Sequence, residues 1–237
     1  SARGDACSGT GRLDDRDGCV VRDGRHDAEK SDRPTADDGH SVGCVDSVGA
    51  GTDLPLGSTW TKIFSIEGQV PTPGAGLNVD SHTVVLENYF QTLGIPLIRG
   101  RFLSDVDTLK STPVVIVNRT LADRYFHGQD PIGHRMKWGP PESDGYWMTI
   151  IGVVGDVKQF DLEKDVRPQT YESVLQYPSF AGLRIVLRGK SSAQNLITAL
   201  RTAVHALDSQ LPIMRVRTME EIMSQSISPR RFYLILV

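Results

Sequence analysis

From residue 47 onward the apolar positions fall into short runs whose spacing alternates between the period of a strand and that of a helix. Residues 61–67 (TKIFSIE) alternate between Gly57 and Gly68, which predicts a strand. Pro71, Pro73, Gly74 and Gly76 make 71–80 a loop, and 82–86 (HTVVL) is a short apolar strand. Residues 88–93 (NYFQTL) suit one to two helical turns, with Gly94 as the left-handed C-terminal cap. A short strand with a polar exit follows over 95–107. Next, 113–117 (PVVIV) reads as a buried strand, and Asn118 as the N-cap of a helix. That helix pairs Leu121 with Tyr125 and Ala122 with Phe126 on one face, and His127–Gly128 close it. Further strands are expected over 132–138, 147–154 and 183–187, the first two joined by a Gly/Pro turn at 139–141.

The C-terminal part repeats the theme. Ser191 and Gln194 fit a capping box, followed by a stripe of Leu196, Leu200, Val204 and Leu207. Residues 211–218 then read as a strand. Thr218 and Glu221 form a second capping box, opening a helix with Ile222, Met223 and Ile227 on one side. Strand–helix units with paired strands between them predict a compact α+β domain rather than a sandwich or a bundle. The end of the chain differs again. Arg230-Arg231 precede an unbroken apolar run, Phe232 to Val237, which reads as the first turn of a transmembrane helix and otherwise as a terminal element packed on the core.

Composition changes the picture in one place. Residues 1–46 carry eleven acidic and seven basic residues, all three cysteines (Cys7, Cys19, Cys44) and no aromatic. Their large aliphatics are Leu13 and four valines, too few to offset the entropy of ordering the segment. The segment is read either as disordered or as an out-of-frame translation of GC-rich DNA. Its cysteines, 12 and 25 apart, fit no zinc spacing. The rest of the chain is nearly neutral. A formal charge of −3 over 237 residues leaves no basic footprint for nucleic acid and no polybasic membrane signal. With no initiator Met and no signal-peptide core, the start reads as internal to something longer.

Several motifs bear on chemistry. Gly189-Lys190-Ser191 lies between a strand and a helix, yet Arg184 stands where a phosphate-binding loop needs glycine. Gly152-Val-Val-Gly155-Asp156 lacks the third glycine and the helix of a dinucleotide site and reads as a strand end. His127 and His134, seven apart, read as turn residues, and His205 as solvated beside a helix stripe. Asp105, Asp107, Asp156, Asp161, Glu163 and Asp165 read as loop carboxylates, with no Gly-x-Ser-x-Gly elbow to accompany them. No catalytic, cofactor-binding or metal-binding residue is assigned, and the chain is read as a non-enzyme.

Four segments then carry a resemblance: ENYFQTLGIPLIRGRFLSDVD (87–107), PVVIVNRTLADRYFHGQDPIGHRM (113–136), TIIGVVGDVKQFDL (149–162) and LDSQLPIMRVRTMEEIMSQSISPRRF (207–232). In this order they resemble the MacB-like periplasmic core domain of FtsX-like ABC-transporter permeases, over roughly 47–232. The run Tyr125-Phe126-x-Gly-x-Asp130-Pro131-Ile132-Gly133 is its most specific part.

The resemblance implies two small α/β subdomains built from βαβ-type units, one inserted in the other: an outer, porter-like unit of 47–94 and 156–228, and an inserted unit of 95–155. Residues 229–237 would begin a truncated membrane helix. It implies a periplasmic, extracytoplasmic position at the bacterial inner membrane and a role in transmembrane transport or efflux. ATP hydrolysis on a cytoplasmic ABC ATPase would be coupled mechanically to export or release of a substrate. A permease homodimer and a periplasmic adaptor protein are the further partners it suggests; no cofactor is implied. The family also supplies a strand and a long helix before 47–56 that 1–46 do not show, so the outer unit is expected to be less stable, with an exposed sheet edge. The alternative function is a soluble periplasmic binding or adaptor module.

Overall fold

The computed structural model describes residues 45–57, 60–69, 79–86, 88–160, 162, 164–178, 182–211, 213 and 215–226. Strands β1 (Ser47–Gly51), β2 (Trp60–Ile66) and β3 (Val79–Val85) precede a short helix, α1 (Tyr89–Leu93). Strands β4 (Leu97–Gly100) and β5 (Val114–Asn118) lead into α2 (Arg119–Phe126). Then come β6 (Arg135–Trp138), β7 (Met148–Val154), β8 (Gln169–Ser173), β9 (Arg184–Arg188) and α3 (Ala193–Leu207). Residues 219–226 are helical as well.

Among the described residues the nine strands join one sheet, and six of them close on themselves. The order β2-β6-β7-β5-β8-β3 is completed by a β2–β3 pairing. Four contacts of this ring are antiparallel, while β5–β7 and β3–β8 are parallel. Closure leaves no free edge along the ring. β1 and β9 extend the sheet from β3, and β4 pairs with β7 alone.

Register sorts the side chains. Phe64 pairs with Trp138, Ile66 with Met136, Met136 with Met148 and Val115 with Ile150, so these positions share the inner face. Phe64, Ile66, Val115, Val117, Met136, Met148 and Ile150 form an apolar core there, closed by Leu121 and Phe126 of α2. A second core lies on the outer face, where Tyr89 and Phe90 of α1 pack with Val114, Ile116, Tyr171 and Val186. The third joins Leu196, Leu200 and Val204 of α3 to Leu187 of β9.

The expected caps are present. Gly94 ends α1 at φ 70°, Asn118 accepts from Leu121 N–H at 3.0 Å, and His127 closes α2 at φ 48°. Thr218 and Glu221 bond each other's backbone N–H groups reciprocally, at 3.2 and 3.1 Å.

Several expectations need correction. The cap of α3 is Ser192, not Ser191: its hydroxyl accepts from Asn195 N–H. The two adjacent serines are equivalent acceptors, and the register is settled by burying Leu196 and Leu200 against Leu187. Leu207, expected on the buried stripe, is 82% exposed. β6 starts at Arg135 rather than at 132, because Gly133 is left-handed and His134 N–H turns back to Pro131 O. The described residues of 211–218 form no strand; the left-handed backbone of Arg215 interrupts the extended run. Ile213 and Val216 nonetheless pack against the α3 core. Strands β1 and β8 were not anticipated. Residues 1–44 with their three cysteines, 71–78 of the expected 71–80 loop, Asp161, Glu163, Ile227 and the apolar end Phe232–Val237 lie outside the described residues, while 79–80 belong to β3 rather than to that loop. No described helix is long and apolar enough to cross a membrane.

Candidate functional site

β8 reads Gln-Thr-Tyr-Glu-Ser, and every residue of it is buried. Such a polar strand is tolerated inside a protein only if its side chains find partners. Alternation sends Gln169, Tyr171 and Ser173 outward and Thr170 and Glu172 into the ring. There Thr170 stands opposite His82, and Glu172 opposite Val84. One end of the ring interior is therefore polar, while the rest is filled by the Phe64–Ile150 core.

The polar end is a connected cluster. Trp138 Nε1 donates to Glu172 Oε1 at 2.8 Å. His82 Nε2 lies 3.3 Å from Glu172 Oε2, and His82 Nδ1 lies 3.4 Å from Thr170 Oγ1. The Trp138 ring meets the His82 ring edge-on, with centroids 4.8 Å apart. The Lys62 ammonium sits over the rings of Trp138 and Tyr177, at 4.7 and 4.8 Å.

Burial sets the charge states. It pushes His82 down to about 3, aided by the positive charge of Lys62. Burial also raises the Glu172 carboxyl above its ordinary range, against the opposing pull of Lys62 and the Trp138 donor. The 3.3 Å contact thus joins a neutral imidazole to a carboxyl group that gives up its proton reluctantly. It is not an ion pair at neutral pH. Neither His82 Nε2 nor Glu172 Oε2 has a well-formed hydrogen bond among the described residues.

Glu172 also faces a cavity of about 280 Å³, lined further by Leu109, Val114, Tyr146, Met148 and Tyr177. Its wall is built by Gln176. That side chain accepts from Val114 N–H at 3.0 Å and donates to Ser111 Oγ at 2.9 Å, to Thr112 O at 3.0 Å and to Thr108 O at 3.2 Å. The 108–113 loop is thereby fixed against the end of β8. Burial, with Glu172 and Tyr177 nearby, pushes the Tyr146 phenol up to about 12, so it remains a neutral hydroxyl.

The residues weighed from sequence lie elsewhere and mostly hold the fold. Asp107 is buried and takes a bidentate bond from Arg101, both arms 2.7 Å. Burial pushes its carboxyl up, but this pairing and the Ser104 N–H outweigh it and hold the group below the usual range. Asp156 accepts from Asn118 Nδ2, Thr120 N–H and Thr120 Oγ1, which anchors the start of α2. Gly152 and Gly155 are packing gaps: a Cβ would lie 2.4 Å from Arg101 O at the first and 2.9 Å from Pro96 Cδ at the second. Lys190 and His205 are exposed, and His134 packs on Phe126. Asp105 and Asp165 are exposed too. Among the described residues no group of three or more His, Cys, Asp or Glu is placed to hold a metal ion.

Sequence reasoning did not pick out His82 or Glu172. His82 opens a run that reads as an ordinary apolar strand, and Glu172 lies in a stretch without a hydrophobic period. The alternation of Thr170 and Glu172 against Tyr171 was the one available signal.

The chain can be set against known proteins. The family model described as MacB-like periplasmic core domain matches residues 35–204. In fold, the chain is similar to the periplasmic region of MacB from Actinobacillus actinomycetemcomitans, with a TM-score of 0.56 and 15% identity, covering 90% of this chain and 93% of that one. Weaker likenesses are to the extracellular domain of the noncanonical ABC-type transporter YknZ from Gram-positive bacteria (TM-score 0.47, 15% identity, 72% and 82% covered) and to a domain of a permease-like protein from Porphyromonas gingivalis (TM-score 0.44, 17% identity, 72% and 77% covered). No curated protein matches the chain.

Proposed function

Because the chain belongs to the MacB-like periplasmic core domain family, we propose that it is the extracytoplasmic domain of an ABC-transporter permease, coupling ATP hydrolysis in the cytoplasm mechanically to export or release of a substrate. The observation that carries this reading is the family match over 35–204, and the MacB-like fold over nine-tenths of the chain is consistent with it. In this reading the partner is a cytoplasmic ABC ATPase, reached through membrane segments of the permease. A second permease copy and a periplasmic adaptor protein complete the assembly. The domain sits on the outer side of the bacterial inner membrane.

A mechanical role suits what the interior contains. Charged groups at the strand ends and in the loops form clamps such as Arg101–Asp107 and Asp156–Asn118, which tie the framework together. The proposed division into an outer unit (47–94 and 156–228) and an inserted unit (95–155) belongs to the same reading. Force between them would pass through the β2–β6 and β5–β8 pairings, which join residues of the two segments.

The test is topology with partner capture. With Cys7, Cys19 and Cys44 replaced by serine, a single Leu109→Cys substitution puts a thiol at a position that is 69% exposed. In the full-length protein this thiol is expected to react with a membrane-impermeant maleimide in intact spheroplasts, and the protein to co-purify with an ABC ATPase. Labelling only after lysis would overturn the reading. A coding frame without membrane segments would favour the soluble binding or adaptor module.

A further inference from the structure

We infer that the cavity between the 108–113 loop and the end of β8 is a binding site for a small uncharged aromatic molecule, a single ring with a short neutral substituent. This goes beyond the transport reading and does not depend on it.

The cavity is held open by a built wall. Gln176 spends its whole side-chain amide on the loop: Oε1 accepts from Val114 N–H at 3.0 Å, and Nε2 donates to Thr108 O, Ser111 Oγ and Thr112 O at 3.2, 2.9 and 3.0 Å. Ser111 Oγ is tied in turn to Thr108 O at 2.9 Å. The wall is thus fixed before a ligand arrives, which spares the cost of ordering it. A volume of about 280 Å³ is at the lower end of small-molecule sites, which span roughly 300–1,000 Å³. It suits a single ring with a short tail.

The lining then selects the chemistry. Leu109, Pro113, Val114 and Met148 offer apolar surface, and Tyr146 adds an aromatic ring. A thioether and an aromatic neighbour favour a ring as the guest. The polar side chains of Ser111 and Gln176 already hold the loop and have no bond to give.

Charge at the wall is matched without a ligand. Glu172 borders the cavity, but Oε1 takes the Trp138 donor, while Oε2 is sealed and lies 3.3 Å from His82 Nε2. The Lys62 ammonium sits over the Tyr177 ring at 4.8 Å, and its field favours the Glu172 carboxylate. An entering cation would find the carboxyl group already countered by Lys62, and an entering anion would find the ammonium countered by Glu172. Either ion would give up hydration and gain no partner of its own. A neutral ring leaves only unfavourable contact with water. Leu109 is 69% and Tyr146 49% exposed, so the mouth presents apolar surface to it.

The experiment titrates the full chain at neutral pH with benzyl alcohol, benzylammonium and benzoate, following amide chemical shifts. In these three the head group is one or two bonds from the ring, so its charge must enter with it. Benzyl alcohol is expected to saturate in the millimolar range and to shift amides of 108–114, 146–148 and 176–177, with both ions weaker by about tenfold or more. Leu109→Ala and Tyr146→Ala, at exposed positions where folding is not at stake, should each weaken benzyl alcohol by about threefold or more. Val106→Ala, 66% exposed in the neighbouring turn but outside the lining, should leave it unchanged. No saturable shift with benzyl alcohol, an ion that binds as well as the alcohol, or Val106→Ala weakening it as much as Leu109→Ala does would each overturn the proposal.

Discussion

Asn118 concentrates four hydrogen bonds in one fully buried side chain. Its Nδ2 donates to Asp156 Oδ1 at 2.7 Å and to Arg167 O at 3.0 Å, while Oδ1 accepts from the N–H groups of Leu121 and Gln169. Half of that role, the helix cap, is legible because Asn precedes a helical period. The other half is not, since Arg167 and Gln169 lie some fifty residues away and only the fold brings them near. Asn118→Ala therefore removes a cap and strands buried partners, and should cost about 3 kcal/mol or more in chemical denaturation. The His82–Glu172 pair was illegible for the same reason: partners 90 residues apart leave no local trace. Its pH signature can be worked out. Glu172 has a folded pKa above its unfolded value, so its contribution to stability is present below about pH 4.5 and is lost as pH rises through the folded pKa. His82, lowered to about 3 from an ordinary 6.5, acts the other way: its contribution is present above pH 6.5 and is lost as pH falls toward 3. Glu172→Gln should consequently raise the melting temperature at pH 8, with the gain shrinking toward pH 4. A gain that is largest in acid would contradict these assignments.

At the level of elements, local patterns are legible where one cap residue or one apolar run stands alone, as at Gly94, Asn118 and the β5 strand. They failed where tertiary context decides. β8 has no hydrophobic period because its inner positions, Thr170 and Glu172, meet His82 and Trp138 rather than apolar neighbours. In α3 the spacing placed Leu196, Leu200, Val204 and Leu207 on one stripe, but burial ends before the last of them. Leu196→Ala should cost about 2–5 kcal/mol, whereas Leu207→Ser should stay within about 0.5 kcal/mol, measured by urea unfolding. The Gly-Val-Val-Gly run shows how a pattern that suggests a ligand can have a packing cause. Gly152 pairs with Gly100 across β4 and β7, and a Cβ at either would press on backbone oxygen, 2.4 Å from Arg101 O or 2.1 Å from Ile151 O. Gly152→Ala should destabilise by about 1–3 kcal/mol as β4 is pushed away from β7.

On the scale of the whole molecule, the unexpected feature is the closed six-stranded ring. An α+β class with short strand–helix units was legible, but closure depends on the β2–β6 and β3–β8 pairings, whose partners lie 70 to 88 residues apart. Closure also ranks the strands by stability. β5 is buried throughout and paired on both sides, while β9 ends the strand order among the described residues and pairs with β1 alone. Amide exchange should accordingly be slowest in β5 and faster in β9; equal protection would count against a ring-centred core. A closed ring whose inner core is capped by α2 is a body suited to being moved as a unit. The proposed coupling to an ATPase would ask this of it.

The proposed coupling has a direct measurement. In the full-length permease with its ATPase in nanodiscs, with Cys7, Cys19 and Cys44 replaced by serine, Leu207→Cys places one spin label per copy on the exposed end of α3. Electron–electron resonance then reads the distance between the two copies of the proposed homodimer. The account predicts a distribution that shifts between the nucleotide-free and ATP-bound states and returns after hydrolysis. An identical distribution in both states, in a complex that hydrolyses ATP and transports normally, would contradict it.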